Sequence, residues 1–365
     1  MDFTIDSEQQ ALAGAVRGLI TKVYDSSETR REVTKTDPGF TAWDKLAEMG
    51  VLGLPWEASA VEASLVAEEL GKVIAPDPYV EAVVLAGGLI DASGTDEQKA
   101  EYLDAIGEGR VLPILAWLET GSRWDATAKA VTFDGSGLHG VKTPVVHAER
   151  ADVLLVTAKT DAGTGVFLVT EGYEVETVKG HDGSRVGTVT FDGTPAVQLG
   201  DGSDQTAAVE HALNLARIAY GHEALGAMAT ALETTVGYLK TRKQFGVPLN
   251  TFQALNFRAA DMYVSLELAR STITWASMVA AEETSTPEQV ALAASQSALQ
   301  VSRAGRHIGL DAIQLHGGIG MTAEYSVGHY TSRLIAIEQL IGDDVFHLAR
   351  LSATVGDHDV LDPIG

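Results

Sequence analysis

The sequence contains no cysteine, which excludes disulfides, thiolate catalysis and cysteine-ligated zinc. It is also short of positive charge: 26 Lys and Arg stand against 50 Asp and Glu, a formal net charge of −24. So acidic a surface repels phosphate backbones and anionic lipid, and neither nucleic acid nor a membrane is an expected partner. Local Arg and Lys can still dominate one cleft and accept an anionic ligand. No apolar run reaches the roughly 18 residues of a membrane span. The opening MDFTIDSEQQ is polar and acidic rather than a secretory signal, so a soluble, cytoplasmic protein is expected. The 10 histidines form no HxxxH or HxH pair, and no metal site is expected. The one glycine-rich stretch lacks the Lys-Ser/Thr ending of a Walker loop.

What is present suffices for two or three compact units: 365 residues, 45% of them apolar. The first hundred or so read as helices. Ser7 with Gln10 fits a capping box, followed by an apolar face of Leu12, Val16, Leu19 and Ile20. Further helices carry Trp43, Leu46 and Met49 up to Gly50, run from near Val61 to a stop at Gly71, follow Asp77-Pro78, and start near Thr95 with Glu97 and Gln98. Near Arg110 the texture changes to short β-prone runs separated by Gly and Asp: VLPILAWLE, AVTF, LHGVKTPVV, ADVLLVTA, GVFLVT, YEVETV and GTVTF. Residues 111–203 are therefore expected to form an all-β unit, a small barrel or a sandwich. From Thr206 the helical period returns, with Phe252, Leu255, Ala259, Met262, Leu266 and Ala269 on one face. Thr286-Pro287-Glu288-Gln289 is a strong helix start.

Three stretches carry a resemblance. They are Arg242-Lys243-Gln244-Phe245-Gly246 with Pro248-Leu249 and Phe252-Gln253; Gln314-Leu315-His316-Gly317-Gly318-Ile319-Gly320; and Tyr325-Ser326-Val327 followed by Arg333. In this order and spacing they resemble the C-terminal helical domain of the flavin-dependent acyl-CoA dehydrogenases. Trp43, Leu46, Gly50, Gly53 and Glu68-Glu69-Leu70-Gly71 fit the same family, so the resemblance covers nearly the whole chain. It implies an α+β architecture: an N-terminal helical domain (1–110), a middle β-barrel domain (111–203) and a C-terminal four-helix-bundle domain (204–365). It also implies FAD as cofactor and acyl-CoA as substrate, with an electron-transfer flavoprotein as acceptor.

The chemistry of the residues agrees. Arg242 can pair bidentately with a pyrophosphate, and Phe245 can offer a face to a flat ring. Gly317, Gly318 and Gly320 let backbone N–H groups approach a phosphate. Gln244 belongs to the same motif, and Gln314 can donate and accept at an ADP moiety. In the family these residues reach across a subunit interface to FAD held mainly by a neighbour. The plainer alternative is a solvated Arg242 and a helix cap at HGGIG. Arg217 matches a family position that helps hold CoA; the alternative is a surface arginine.

The departures are as informative. The family base is the Glu of a Tyr-Glu-Gly segment sixteen residues after the Tyr of Tyr-Pro-Val. Here that position is Ile341, followed by Gly342. Its other location directly precedes the CoA-contacting arginine, which here is Ala216. Neither side chain can take a proton. On the flavin-ring side Leu118 stands where a Thr is expected, Pro144 replaces an aromatic and Val146 a hydroxyl. The glycine-rich loop after Leu54 shrinks to Pro55-Trp56-Glu57. Such losses, with the FAD-supporting motifs kept, are expected of the non-catalytic subunit of a heteromer like those of actinobacterial steroid side-chain degradation, beside a homologous subunit that carries the catalytic Glu. A self-sufficient homo-oligomer with a relocated base would draw on Glu338 or Glu223. A third reading is an acyl-CoA-binding module without redox activity.

Overall fold

The computed structural model describes residues 4–24 and 39–357. The first cap lies one residue earlier than the Ser7–Gln10 pattern predicts. The Asp6 carboxylate accepts from the backbone N–H groups of Glu8 and Gln9, and the Gln9 side chain accepts from the Asp6 N–H. A carboxylate at this position also meets the positive end of helix α1 (Ser7–Tyr24), which a serine would not. Two short helices follow, α2 (Trp43–Glu48) and α3 (Leu54–Glu57). Helix α4 (Ala60–Val73) is capped by Ser59.

Gly71 does not stop α4. The helix continues to Val73, and Ile74 takes the left-handed closing position with φ 52°. Gly71 serves packing instead: a Cβ there would lie 2.0 Å from the Glu223 carbonyl oxygen, and one on Gly226 would lie 2.1 Å from that of Glu68. Two missing side chains thus let α4 cross α7 (Thr206–Thr241) with backbones in contact. After Pro78 the chain forms a π-helical segment, Tyr79–Gly87, buried throughout, then α5 (Gly88–Ser93) and α6 (Asp96–Gly107). The Thr95–Gln98 capping box forms as its sequence predicts.

The middle region is one curled sheet of eight strands, not a sandwich of two. The strands are β1 (Pro113–Ala116), β2 (Thr132–Phe133), β3 (Leu138–Val146), β4 (Val153–Thr160), β5 (Gly163–Val169), β6 (Tyr173–Lys179), β7 (Arg185–Thr194) and β8 (Val197–Gln198). Their order is β6-β7-β3-β2-β4-β5-β8, with β1 parallel to β4. The β3–β7 ladder slips between Lys142 and Val145; Pro144, which has no N–H to give, sits in that irregularity.

The last region packs four long helices: α7, α8 (Gln253–Ala281), α9 (Pro287–His316) and α10 (Val327–Ile341), with α11 (Asp344–Ala353) against α9. The Thr286–Gln289 capping box starts α9. A two-residue hairpin, β9 (Lys243–Gln244) and β10 (Val247–Pro248), joins α7 to α8. Helix α7 is buried without interruption from Ala216 to Met228. It is wedged between α4, the π-helical segment, α8, α9 and α10, so no solvent face gives it a helical hydrophobic period there.

Candidate functional site

One cavity gathers the positions whose residue types are unusual. Ala216 and Ile341 both line it, together with Leu118, Pro144 and Val146 from the sheet. Trp117, Leu213, Tyr220 and Leu340 fill much of the remaining wall. The cavity volume is only ≈ 40 Å³, room for about three water molecules, where small-molecule pockets run to roughly 300–1,000 Å³. Nearby, Trp124 ties the β1–β2 loop to the end of α10. It is buried, with φ 62°, packs on Phe346 and donates its indole N–H to the Gln339 carbonyl at 2.8 Å.

Beneath this region the backbone is pinned by a buried ion pair. Lys142 is fully buried and donates to Glu119 at 2.7 Å, to Thr157 at 2.8 Å and to the Trp117 carbonyl at 3.2 Å. Burial pushes its ammonium down to about 8 against the pull of Glu119. Glu119 in turn accepts from the N–H groups of Lys129, Ala130 and Val131.

Arg217 also lines the cavity but does not reach solvent, being 1% exposed. Its Nε donates to the Ile341 carbonyl at 3.2 Å, and its Nη1 to Glu210 at 2.8 Å and Asn214 at 2.6 Å. Its Nη2 has no hydrogen-bond partner. The surface-arginine alternative is therefore excluded, and the side chain ties α7 to the end of α10.

Glu338 and Glu223 are not among the residues lining the cavity. Glu338 pairs with Arg306 at 2.5 Å. Glu223 pairs with Arg333 at 2.7 Å, which also meets Asp182 at 3.1 Å and Glu81 at 3.8 Å. Burial pushes the Glu223 carboxyl up, and the charges of Glu81 and Asp182 add to this against the pull of Arg333. Sequence reasoning missed Glu81, the one carboxylate lining the cavity among the described residues. It is buried, with the Arg333 guanidinium 3.8 Å away and Tyr220 beside it in the cavity wall. Its signal was available: a lone acid inside the apolar run Val80 to Leu85 is costly to bury without a purpose or a partner.

The second group of candidates sits at the far end of α7 and α9. The Tyr238 ring stacks 4.5 Å from that of His316, and Tyr325 lies 4.9 Å from His316. Arg242 follows Tyr238 by one helical turn, its N–H bonded to the Tyr238 carbonyl; Gly317 directly follows His316. The aromatic stack therefore brings both motifs to one place. Phe245 and Gly246 form the hairpin turn with φ 53° and 83°, the left-handed pair of a type I′ turn. A phenylalanine strains there, and it is 91% exposed. Gln244, Gln314, Gly317 and Gly318 are exposed as well.

These residues fit FAD on one side only. Arg242 has no acidic partner among the described residues. Cβ atoms built on Gly317 or Gly318 would meet nothing within 4 Å, so the backbone there faces open space. A free guanidinium, an outward aromatic face and open peptide groups suit a pyrophosphate and a flat ring approaching from outside. The cavity, at ≈ 40 Å³, has no room for the ring itself.

Comparison with known proteins identifies the family. The family model for the acyl-CoA dehydrogenase N-terminal domain matches residues 6–110, and that for the C-terminal domain residues 206–354. The chain is 28% identical to acyl-CoA dehydrogenase FadE27 of Mycobacterium tuberculosis, covering 98% of this chain and 99% of that one. It is 30% identical to the human mitochondrial short-chain specific acyl-CoA dehydrogenase, covering 78% and 72%. Among solved structures, the ChsE4-ChsE5 complex from Mycobacterium tuberculosis matches with TM-score 0.87 at 27% identity over 99% of this chain and 100% of that one. A single-residue variant of the Tcur3481-Tcur3483 steroid ACAD matches with TM-score 0.85 at 29% identity over 96% and 98%.

Proposed function

Because the chain belongs to the acyl-CoA dehydrogenase family, FAD-dependent oxidoreductases acting on CH–CH bonds, we propose that it is the base-lacking, FAD-supporting subunit of a heteromeric acyl-CoA dehydrogenase. Its partner is a homologous subunit carrying the catalytic Glu, the assembly a heterotetramer with domains at 1–110, 111–203 and 204–365 of this chain, and the acceptor an electron-transfer flavoprotein. The substrate is an acyl-CoA thioester. A steroid-derived acyl group is favoured by the likeness to a heteromer named a steroid ACAD.

One observation carries the reading. Both positions that could hold the base are apolar and line a single cavity of ≈ 40 Å³. Removing the α proton of a thioester needs a base within hydrogen-bond reach of it, and neither residue can serve as one. Bound FAD supplies the acceptor for the β hydride. Toward it this chain contributes Arg242 for the pyrophosphate, Phe245 and Gln244 beside it, and Gln314, Gly317 and Gly318 for the nucleotide portion. Arg217 is the candidate contact to the CoA moiety, its free Nη2 being the available donor.

The self-sufficient alternative has one observation in its favour: Glu81 faces the cavity. That carboxylate already pairs with Arg333 at 3.8 Å, and the space beside it is too small for the reacting centre. Expression of the chain alone decides between the readings. A colourless or flavin-poor protein, turning yellow and active on co-expression with a homologue bearing the missing Glu, supports the heteromer. Near-stoichiometric FAD with dehydrogenase activity in the isolated chain, lost in Glu81→Gln, would overturn it. Acyl-CoA binding with no flavin under either condition would instead point to the binding module.

A further inference from the structure

The end of the chain proposed to support FAD is organised around one buried histidine. His316 closes α9 immediately before Gly317 and Gly318, and it is 3% exposed. Its ring lies between two tyrosines. Tyr238 of α7 stacks on it at 4.5 Å with 31° between the planes. Tyr325, from the segment that leads into α10, lies at 4.9 Å and 50°. The imidazole is therefore a wedge between α7, which carries Arg242 one turn beyond Tyr238, and the chain that follows the glycines.

Geometry fixes where this ring holds its hydrogen. Nδ1 lies 2.7 Å from the Ala312 carbonyl oxygen. A carbonyl can only accept, so Nδ1 carries a hydrogen in either charge state. Nε2 is buried and has no hydrogen-bond partner. In the neutral ring it is an unused lone pair. In the cation it becomes an N–H donor with nothing to accept it, and the charge is desolvated as well.

The surroundings do not compensate such a charge. The titratable groups that face the ring are the phenols of Tyr238 and Tyr325. Asp311 on α9 is paired with Arg258 at 2.5 Å. Glu233 on α7 and Glu324 beside Tyr325 are exposed, and Lys240 and Arg242 at the end of α7 are cations. His329, at the start of α10, bonds the Ala323 carbonyl at 3.1 Å. No carboxylate pairs with His316 among the described residues. Burial accordingly pushes its imidazole below the ordinary value, against the pull of the Ala312 carbonyl.

We infer that His316 is a positioning residue for the FAD-supporting motifs and acts only as the neutral imidazole: a proton taken up at Nε2 drives the ring out of its stack and lets Arg242 part from the Gly317–Gly318 backbone. This role rests on the FAD-supporting reading of that end, and adds a pH dependence which that reading does not require. A ring outside the stack titrates near about 6.5, while the stacked ring resists the proton. The stacked state therefore loses ground as pH falls through that value. Between about pH 7.5 and about pH 5.5 the unstacked population grows up to about tenfold.

The co-purified heteromer tests this through flavin release, followed by the rise in flavin fluorescence on dilution. Release should quicken about 5- to 10-fold between about pH 7.5 and about pH 5.5. His316→Phe keeps an uncharged ring in the stack and should change less than about twofold over the same range, whereas a merely structural histidine would leave it the wild-type response. His316→Ala should release flavin fast at both pH values. On the full chain without flavin, the ring currents of the two tyrosines should hold the His316 Cε1 proton resonance upfield, and it should return toward its unfolded position as the ring protonates. If no assembly binds flavin, the FAD-supporting reading has failed and this role falls with it. If flavin binds but His316→Phe keeps the wild-type pH response, or the Cε1 proton stays upfield while it titrates, the role of His316 alone is overturned.

Discussion

Arg333 is the side chain whose loss the structure makes most costly. One guanidinium serves Glu223, Asp182 and Glu81, three carboxylates whose side chains are each no more than 10% exposed. They come from α7, the β6–β7 loop and the π-helical segment, so the cluster joins all three regions of the fold. Arg333→Met keeps the length of the side chain and removes only the charge and its donors. Truncating one partner of a buried ionic cluster costs about 3–5 kcal/mol, because the remaining charges stay buried without compensation. The penalty has a pH signature. The Glu223 carboxyl, already raised by burial, loses without Arg333 the attraction that opposes this and rises further above its unfolded value near about 4. Groups raised in this way destabilise most when ionised, so the deficit is full at about pH 7.5 and shrinks toward about pH 5. Adding Glu223→Gln removes one of the stranded charges and should recover at least about 1 kcal/mol, a coupling that a double-mutant cycle reads directly. Urea unfolding of the wild type, both single variants and the double variant at the two pH values is the assay. A loss below about 1 kcal/mol, or a loss equal at both pH values, would refute the reasoning.

Three further outcomes are expected. Arg242→Ala should leave urea stability within about 0.5 kcal/mol, since the side chain touches no acid; in the co-purified heteromer it should weaken FAD about 10- to 100-fold, measured by flavin release on dilution. Gly71→Ala places a Cβ 2.0 Å from a backbone oxygen of α7 and should cost about 3 kcal/mol by overpacking, read from the urea midpoint. His347 is held down to about 3 by burial and then by Arg217 and Arg350. The unfolded chain takes up that proton below about 6.5 and the folded chain does not, so stability falls as pH drops from there toward 3. Replacing it with Leu should remove about 2 kcal/mol of the difference between about pH 7 and about pH 5.

The structure also corrects local readings for identifiable reasons. The capping box moves from Ser7–Gln10 to Asp6–Gln9 because two adjacent residues could both cap and only the carboxylate also meets the helix dipole. Gly71 was read as a stop because glycine most often closes a helix; here it is needed where two backbones touch. Arg217 left open a solvated reading, since no sequence pattern distinguishes an exposed arginine from one buried against Glu210 and Asn214. Glu338 and Glu223 were picked as substitute bases by helical spacing, which fixes a direction on one helix but not which neighbour lies there. Arg306 and Arg333 proved to be those neighbours.

Sequence alone determined the local and the periodic. The capping boxes at Thr95 and Thr286, most strand runs, the order of helices, sheet and helices, and the missing carboxylates at Ala216 and Ile341 are all written in neighbouring residues or fixed spacings. Tertiary structure decided what depends on segments far apart in the chain. It closed the cavity to ≈ 40 Å³ around Ala216 and Ile341, set Glu81 in its wall, and stacked Tyr238 on His316 so that two motifs share one end. Propensity and periodicity act over a few residues; free volume and charge pairing depend on which surfaces meet, and only the packed chain specifies that.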